Sequence, residues 1–310
     1  MIKVLITGSA GFIGFHLVRL LLDEGFEVHG YDGMTDYYDV RLKRGRTQLL
    51  MQHAGFSWTE GMLEDQAHLD QVFDTFAPDV VVHLAAQAGV RYSLENPRAY
   101  LDANVIGTFN VMEAARRLEV KHLLMASTSS VYGANDEMPF VETEKADTQL
   151  TIYAATKKAT ESMSHAYAHL WKLPTTMFRF FTVFGPWGRP DMALYKFVDG
   201  ILDGRPIDIY NHGEMFRDFT YVDDLVRAIR LLIDAIPLQS AAGEIPEGDS
   251  LSPVVPWRLV NIGNSDKVKL TDFIDAIEEE CGRKAIRNSM DMQKGDVPAT
   301  WADAMSAIVG

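Results

Sequence analysis

Ile2-Lys3-Val4-Leu5-Ile6-Thr7-Gly8-Ser9-Ala10-Gly11-Phe12-Ile13-Gly14 is the stretch whose reading decides the fold. An aliphatic run of strand length stops at a glycine, two further glycines follow at three-residue spacing, and helix-forming residues continue beyond Gly14. A glycine at a strand end permits a tight turn, a second lets the backbone approach a pyrophosphate, and a third lets helix and strand pack closely. The phosphate then rests on the helix N-terminus, where free N–H groups point outward. A glycine pattern alone is weak evidence, because tight strand-to-helix turns use glycine anyway. Its place after the first strand strengthens it, as does Asp32 at the end of a second run, FEVHGYD (26–32), about 20 residues further on. Asp32 is suited to accept hydrogen bonds from a ribose diol and to repel a 2′-phosphate, so NAD is expected over NADP. The plainer reading of Asp32 is a turn residue. Arg41, Lys43, Arg44 and Arg46 follow nearby and are expected to form a solvated helix face.

Outward from this unit the pattern repeats. FSWTE (56–60), DVVVHLA (79–85), HLLMAS (122–127) and PTTMFRF (174–180) alternate with longer helical stretches. Alternation of this kind implies βαβ units and a parallel sheet. Asn96-Pro97 opens one such stretch, expected to run as a helix through RAYLDANVIGTFNVMEAARRLE. After residue 180 the order changes, with Gly185, Pro186, Gly188, Pro190, Gly204 and Pro206 crowded together and 237–256 reading as an exposed loop. FTYVDDLVRAIRLLIDAI (219–236) reads as a strand and helix returning to the first unit. LTDFIDAIEEECG (270–282) reads as an amphipathic helix capped by Thr271 or Asp272 and stopped by Gly282. The expected architecture is α/β: a doubly wound parallel sheet over residues 1–178, rejoined by 219–236 and about 258–263, with a smaller C-terminal α/β unit over 179–310 that takes the substrate.

Composition narrows the partners. The formal charge of −14, from 29 Lys and Arg against 43 Asp and Glu, disfavours nucleic acid, whose phosphates need a basic face. No apolar run approaches the ~20 residues of a membrane span, and Thr7 and Gly8 end the first apolar run before a signal peptide can form. The chain is therefore expected to start at Met1 and to work in the cytoplasm. A single cysteine, Cys281, allows no internal disulfide and no multi-cysteine metal site, and no metal is expected.

Tyr153-Ala154-Ala155-Thr156-Lys157 lies in a stretch that reads as helix from near Thr151. Four residues along a helix return nearly to the same face, so the ammonium can lie beside the phenol. A free tyrosine titrates near 10, and making it a base near neutrality takes about 4 kcal/mol. Lys157 and an oxidised nicotinamide ring would both favour phenolate. Y-x-x-x-K is common on helix surfaces, but Ser127-Thr128-Ser129-Ser130 ends the fifth expected strand upstream. Ligands of parallel sheets gather at such carboxyl ends, and Thr128 there could hydrogen-bond the hydroxyl that Tyr153 deprotonates. Without the tyrosine, a hydroxyl-rich turn would be the ordinary reading.

Together these residues resemble the extended short-chain dehydrogenase/reductases of Rossmann type, and within them the nucleotide-sugar epimerases. The matching motifs are the glycine motif, His83-Leu84-Ala85-Ala86-Gln87, Asn104-Val105-Ile106-Gly107-Thr108 and the Tyr153/Lys157 pair. More narrowly, DYYDVRLKRGR (36–46), Ala88-Gly89-Val90-Arg91-Tyr92-Ser93, RFFTVFGPWGRPDMA (179–193) and IYNHGEMFRDFTYVDD (209–224) are similar to UDP-glucuronate 4-epimerases. The resemblance implies NAD held by Gly8, Gly11, Phe12, Ile13, Gly14, Asp32, Leu84, Ala85, Ala86, Gln87, Asn104, Lys157 and Phe180. It implies catalysis by Thr128, Tyr153 and Lys157: the tyrosine, as phenolate, takes the proton of a sugar 4-hydroxyl as hydride moves to NAD, the 4-keto sugar turns, and the hydride returns to the other face. It implies a UDP-sugar, UDP-glucuronate or UDP-galacturonate, met by Arg91, Arg189 and Arg217, with Tyr210 stacked on uracil, and a homodimer. Thr128, Ser129, Ser130 and Thr182 are expected to hold the sugar carboxylate, Thr182 standing where epimerases of neutral sugars often carry asparagine. The alternatives are a 4-epimerase of another UDP-hexose, a 4,6-dehydratase or decarboxylase, and a non-catalytic NAD sensor. Dehydration and decarboxylation call for carboxylates directly after Thr128, where this chain has Ser129 and Ser130. Two departures stand out: Met62 replaces an aspartate that often meets adenine, and the chain ends at Gly310 where the family usually continues through another helix, suggesting a trimmed form.

Overall fold

The computed structural model describes residues 1–238, 245 and 248–303. Positions 239–244 and 246–247 of the expected loop and the chain end at Gly310 lie outside the described residues. Six strands, β1 (Lys3–Thr7), β2 (Glu27–Asp32), β3 (Phe56–Glu60), β4 (Val80–His83), β5 (His122–Thr128) and β6 (Thr175–Phe180), join Trp257–Ile262 in one sheet. Its order is Trp257–Ile262, β6, β5, β4, β1, β2, β3, and every pairing is parallel. The interior strands are buried along nearly their whole length, because helices cover both faces. Alternate residues serve alternate faces. Val4, Ile6, Val80, Val82, Leu124 and Phe178 pack with Phe15, Val18, Leu225 and Ile229 of the helices Phe12–Asp23 and Val222–Asp234. Leu5, Val81, Leu123, Met125 and Met177 face the opposite way, onto Phe73, Val111, Met112 and Tyr167. The strand order reverses between β1 and β4, which opens a crevice at their carboxyl ends.

The C-terminal part builds a smaller core of Phe197, Ile201, Ile207, Ile209, Ile274 and Ile277, where Pro206–Ile209 pairs in parallel with Ile286–Ser289. The helix Leu270–Cys281 ends at Gly282 as expected, but Lys269 occupies its N-cap and no side chain caps it; Thr271 and Asp272 lie inside the helix. The stretch after Asn96-Pro97 also departs from expectation. It is helical over Pro97–Tyr100 and Thr108–Arg117, while Leu101–Gly107 between them is a π-helical segment. Such segments concentrate at functional sites, and this one carries Asn104.

Two buried histidines in the sheet are expected to make stability depend on pH. His83 lies between the hydroxyls of Thr7 (2.7 Å) and Thr108 (2.9 Å), and His122 between Thr176 (2.8 Å) and the Ile233 carbonyl (3.3 Å). Burial, aided at His83 by the charge of Lys157, lowers His83 to about 3, and burial lowers His122 to about 4. Below the ordinary 6.5 the unfolded chain binds protons that the folded one refuses, so stability falls as pH drops from about 6.5 toward 4. A loss on the order of a few kcal/mol is expected. Urea midpoints compared at pH 7 and pH 4.5 check it, and a flat profile would contradict it.

Candidate active site

The crevice opens into a cavity of about 830 Å³ running from the glycine turn to the Tyr153 helix. Gly8 ends β1 at φ 76°, and a Cβ there would stand 2.7 Å from the Ala85 nitrogen. A Cβ on Gly14 would run into the Gly8 carbonyl oxygen. The first helix starts from Gly11 with no side-chain cap, so its leading N–H groups have no side chain covering them. Asp32 accepts from the amides of Ala10 (3.1 Å) and Met34 (2.9 Å), which fixes its carboxylate at the end of β2. Phe12, Ile13, Leu84, Ala85, Ala86, Gln87 and Phe180 line the same cavity. A backbone cradle with no room for side chains, an uncapped helix start and a fixed carboxylate for a ribose fit NAD. Met62 also lines the cavity, offering a thioether there.

Asn104 is fully buried and does not line the cavity. Its amide accepts from the Gln87 nitrogen (2.8 Å) and donates to the Gln87 carbonyl (3.0 Å) and Thr156 (3.1 Å). It therefore ties the strand-end loop 84–88 to the Tyr153 helix. Thr151 caps that helix through the Ala154 amide (3.2 Å).

Along the Ile152–Trp171 helix, Tyr153, Lys157 and Glu161 follow at four-residue spacing. The Lys157 amine donates to the Ala126 carbonyl (3.0 Å), and burial lowers it to about 8 against the pull of Glu161. Burial raises Tyr153 above its ordinary value, while a hydrogen bond with Thr128 and the charge of Arg189 work the other way. Desolvation outweighs both, and Lys157, whose amine donates to the Ala126 carbonyl, is not among the causes of this shift. Thr128 accepts from the Ser130 amide (3.2 Å), and Ser129, Ser130 and Thr182 join it on the cavity wall. Behind the wall, Arg179 meets Glu161 through Nε (2.9 Å) and a terminal nitrogen (2.8 Å), and Ser127 donates to the same carboxylate (2.6 Å). Burial alone would raise Glu161, but Arg179 and Ser127 outweigh it and hold it lowered.

At the far end, Arg189 and Arg217 both reach the cavity. Arg189 is already matched by Asp191 (3.0 and 2.5 Å), which also accepts from Tyr37 (3.3 Å). Arg217 donates to the Phe216 carbonyl (2.8 Å) and has no carboxylate within ion-pair distance among the described residues. Arg91 and Tyr210 do not line the cavity; the guanidinium stands 4.6 Å over that ring and 3.5 Å from Asp296. The basic run of 41–46 is also corrected. Arg41 is exposed, but Lys43 and Arg46 are buried, Arg46 donating to the carbonyls of Ala10 (2.9 Å) and Trp187 (2.5 Å). Besides Lys43, sequence reasoning missed Tyr37, Met192 and Gly295–Thr300 as lining residues. Tyr37 and Lys43 carried a signal in the DYYDVRLKRGR stretch, whereas 295–300 carried none.

The NAD dependent epimerase/dehydratase family model matches residues 4–241. The chain is 54% identical to a probable UDP-glucuronate 4-epimerase of Rhizobium meliloti (strain 1021), over 99% of this chain and 91% of that one. It is 42% identical to UDP-glucuronate 4-epimerase 1 of Arabidopsis thaliana, over 99% of this chain and 71% of that one. Among solved structures it is similar to the UDP-glucuronic acid 4-epimerase from Bacillus cereus in complex with UDP-glucuronic acid and NAD, with TM-score 0.87 and 30% identity over 99% of this chain and 91% of that one. With the glycine cradle, Asp32 and the Tyr153/Lys157 helix gathered on one cavity, the chain belongs to the NAD dependent epimerase/dehydratase family.

Proposed function

We propose that the protein converts UDP-glucuronate to UDP-galacturonate by NAD-dependent 4-epimerisation through a 4-keto sugar. The observation that carries this reading is one wall of the cavity, where Thr128, Ser129, Ser130 and Thr182 offer hydroxyls beside Tyr153 and Lys157 with no carboxylate directly after Thr128. The relatives named for this reaction support it. NAD, when bound, supplies the acceptor and later the donor of a hydride. Tyr153 takes the proton of the 4-hydroxyl and returns it after the sugar turns, and Thr128 orients that hydroxyl. Lys157, held by Ala126, keeps positive charge near the phenol. Arg217, with no carboxylate within ion-pair distance among the described residues, is better placed to meet the diphosphate than Arg189, whose charge Asp191 already balances.

Oxidation at C4 of a glucuronate makes a β-keto acid, which loses CO₂ when the C5–carboxylate bond stands perpendicular to the ketone plane. Hydroxyls from Ser129, Ser130 and Thr182 would hold the carboxylate away from that geometry. Residues 1–178, with 219–236 and about 258–263, hold NAD in this scheme, and 179–310 mainly the UDP-sugar. A homodimer is supported by exposed apolar side chains on two helical stretches, Leu101, Ile106 and Phe109 on one and Ile152, Leu170 and Trp171 on the other. A cytoplasmic location is supported by the single cysteine; no helix among the described residues is long and apolar enough to cross a membrane.

NMR of products from UDP-glucuronate and, separately, UDP-glucose tests reaction and substrate together, with UDP-galacturonate expected from the first. In Thr182→Asn and Ser130→Ala, selectivity for the acid sugar should fall and a decarboxylated UDP-4-keto-pentose should appear. Unchanged selectivity with no pentose would remove the carboxylate clamp.

A further inference from the structure

Lys43 is the one member of the basic run that lines the cofactor cavity. It comes from the helix Val40–Leu50, and its side chain is only 8% exposed. The amine donates to the carbonyl and to the hydroxyl of Thr35, at 3.0 Å each. An ammonium has three N–H bonds, so one remains. The nearest carboxylate oxygen, Oδ1 of Asp32, is 3.9 Å away, too far to take it as a hydrogen bond. Each Asp32 oxygen in turn receives one backbone amide and keeps capacity to accept another bond. The Lys43 amine, which also lies 5.3 Å over the Tyr38 ring, and the Asp32 carboxylate thus keep spare hydrogen-bonding capacity 3.9 Å apart at the end of β2. Burial lowers the pKa of this amine, the charge of Asp32 works against that shift, and Arg46 adds to it.

A ribose hydroxyl both donates and accepts, so it satisfies both groups at once. A phosphate ester only accepts: it would suit the amine and be repelled by the carboxylate. We propose that Lys43 is a specificity-determining residue of the cofactor site, forming with Asp32 a donor–acceptor pair that reads the adenosine ribose and a latent 2′-phosphate site that the Asp32 carboxylate alone keeps closed. This rests on the assignment of the cavity to NAD. It also predicts that the two residues act as a unit, because removing the acid leaves a cation already positioned for the extra phosphate.

The test is calorimetry of NAD and NADP on the full chain freed of nucleotide, for the wild type, Lys43→Met, Asp32→Ser and the double variant. Thermal melts without nucleotide verify folding. Lys43→Met is expected to weaken NAD about tenfold or more, the loss of one charged hydrogen bond. Asp32→Ser is expected to tighten NADP about tenfold or more, and the double variant to lose that gain. NAD binding in Lys43→Met equal to wild type overturns the proposal. So does an Asp32→Ser chain that gains no NADP affinity, or gains it equally without Lys43. A folded wild-type chain that binds no NAD would instead strike the assignment of the cavity.

Discussion

Tyr153→Phe is expected to lower turnover by a factor on the order of 10²–10⁴, the scale of a lost general base, while the fold and NAD binding persist. Phenylalanine keeps the ring where it packs edge-on to Tyr100 at 5.9 Å, so the substitution removes one hydroxyl and little else. The raised position of that hydroxyl sharpens the expectation. Burial disfavours the phenolate, so the positive charge of Lys157 and of the oxidised cofactor is what would favour it. Steady-state rates on UDP-glucuronate, with bound nucleotide measured separately, decide the matter. Near-normal turnover in a folded, NAD-loaded Tyr153→Phe protein would take the residue out of the mechanism.

The second large effect concerns stability. Arg179→Met should destabilise the protein by about 3–5 kcal/mol, because it strands the Glu161 carboxylate in the interior. Arg179 and Glu161 are 1% and 3% exposed, and the pair is bidentate. Lys158 (3.4 Å) and Ser127 (2.6 Å) already donate to Glu161, so what the substitution removes is the arginine's two charged bonds, both shorter than that of Lys158. One Arg179 nitrogen has no hydrogen-bond partner among the described residues, and the guanidinium lies 4.5 Å over the Tyr132 ring, so a thioether of similar length can refill much of its volume. Arg179→Met/Glu161→Gln should recover a large part of the loss, since the uncompensated charge is then gone. Thermal melts of the wild type, both single variants and the double variant check it. Equal midpoints for Arg179→Met and wild type would mean that Glu161 is satisfied without the arginine.

Much of this was legible in the sequence because the informative contacts are local. Gly8 to Gly14 and Tyr153 to Lys157 lie within one turn or a few, where spacing translates directly into geometry. The strand signals held because parallel strands covered on both faces are continuous apolar runs. What escaped notice depends on distant partners. The charge run at 41–46 looks like a solvated face until Thr35, Ala10 and Trp187 are brought to Lys43 and Arg46. Arg91 and Tyr210 carried an implied role at the substrate, and their partners turn out to be each other and Asp296. Asn104 was placed near NAD, and it acts one layer back, on the loop that borders the cavity.

The π-helical segment at Leu101–Gly107 has a consequence for how this chain tolerates change in length. Such a turn accommodates one residue more than an α-turn, and each α-helical residue advances the side chains by about 100°. The helix after Gly107 therefore runs out of phase with the helix before Leu101, and the sheet-facing set Thr108, Val111, Met112 and Ala115 depends on that offset. Excising a single residue here would yield a more regular helix with a better hydrogen-bond ladder and the wrong rotation. Local regularity and global packing pull in opposite directions over these seven residues, so an alignment that closes a one-residue gap there would be describing a different molecule.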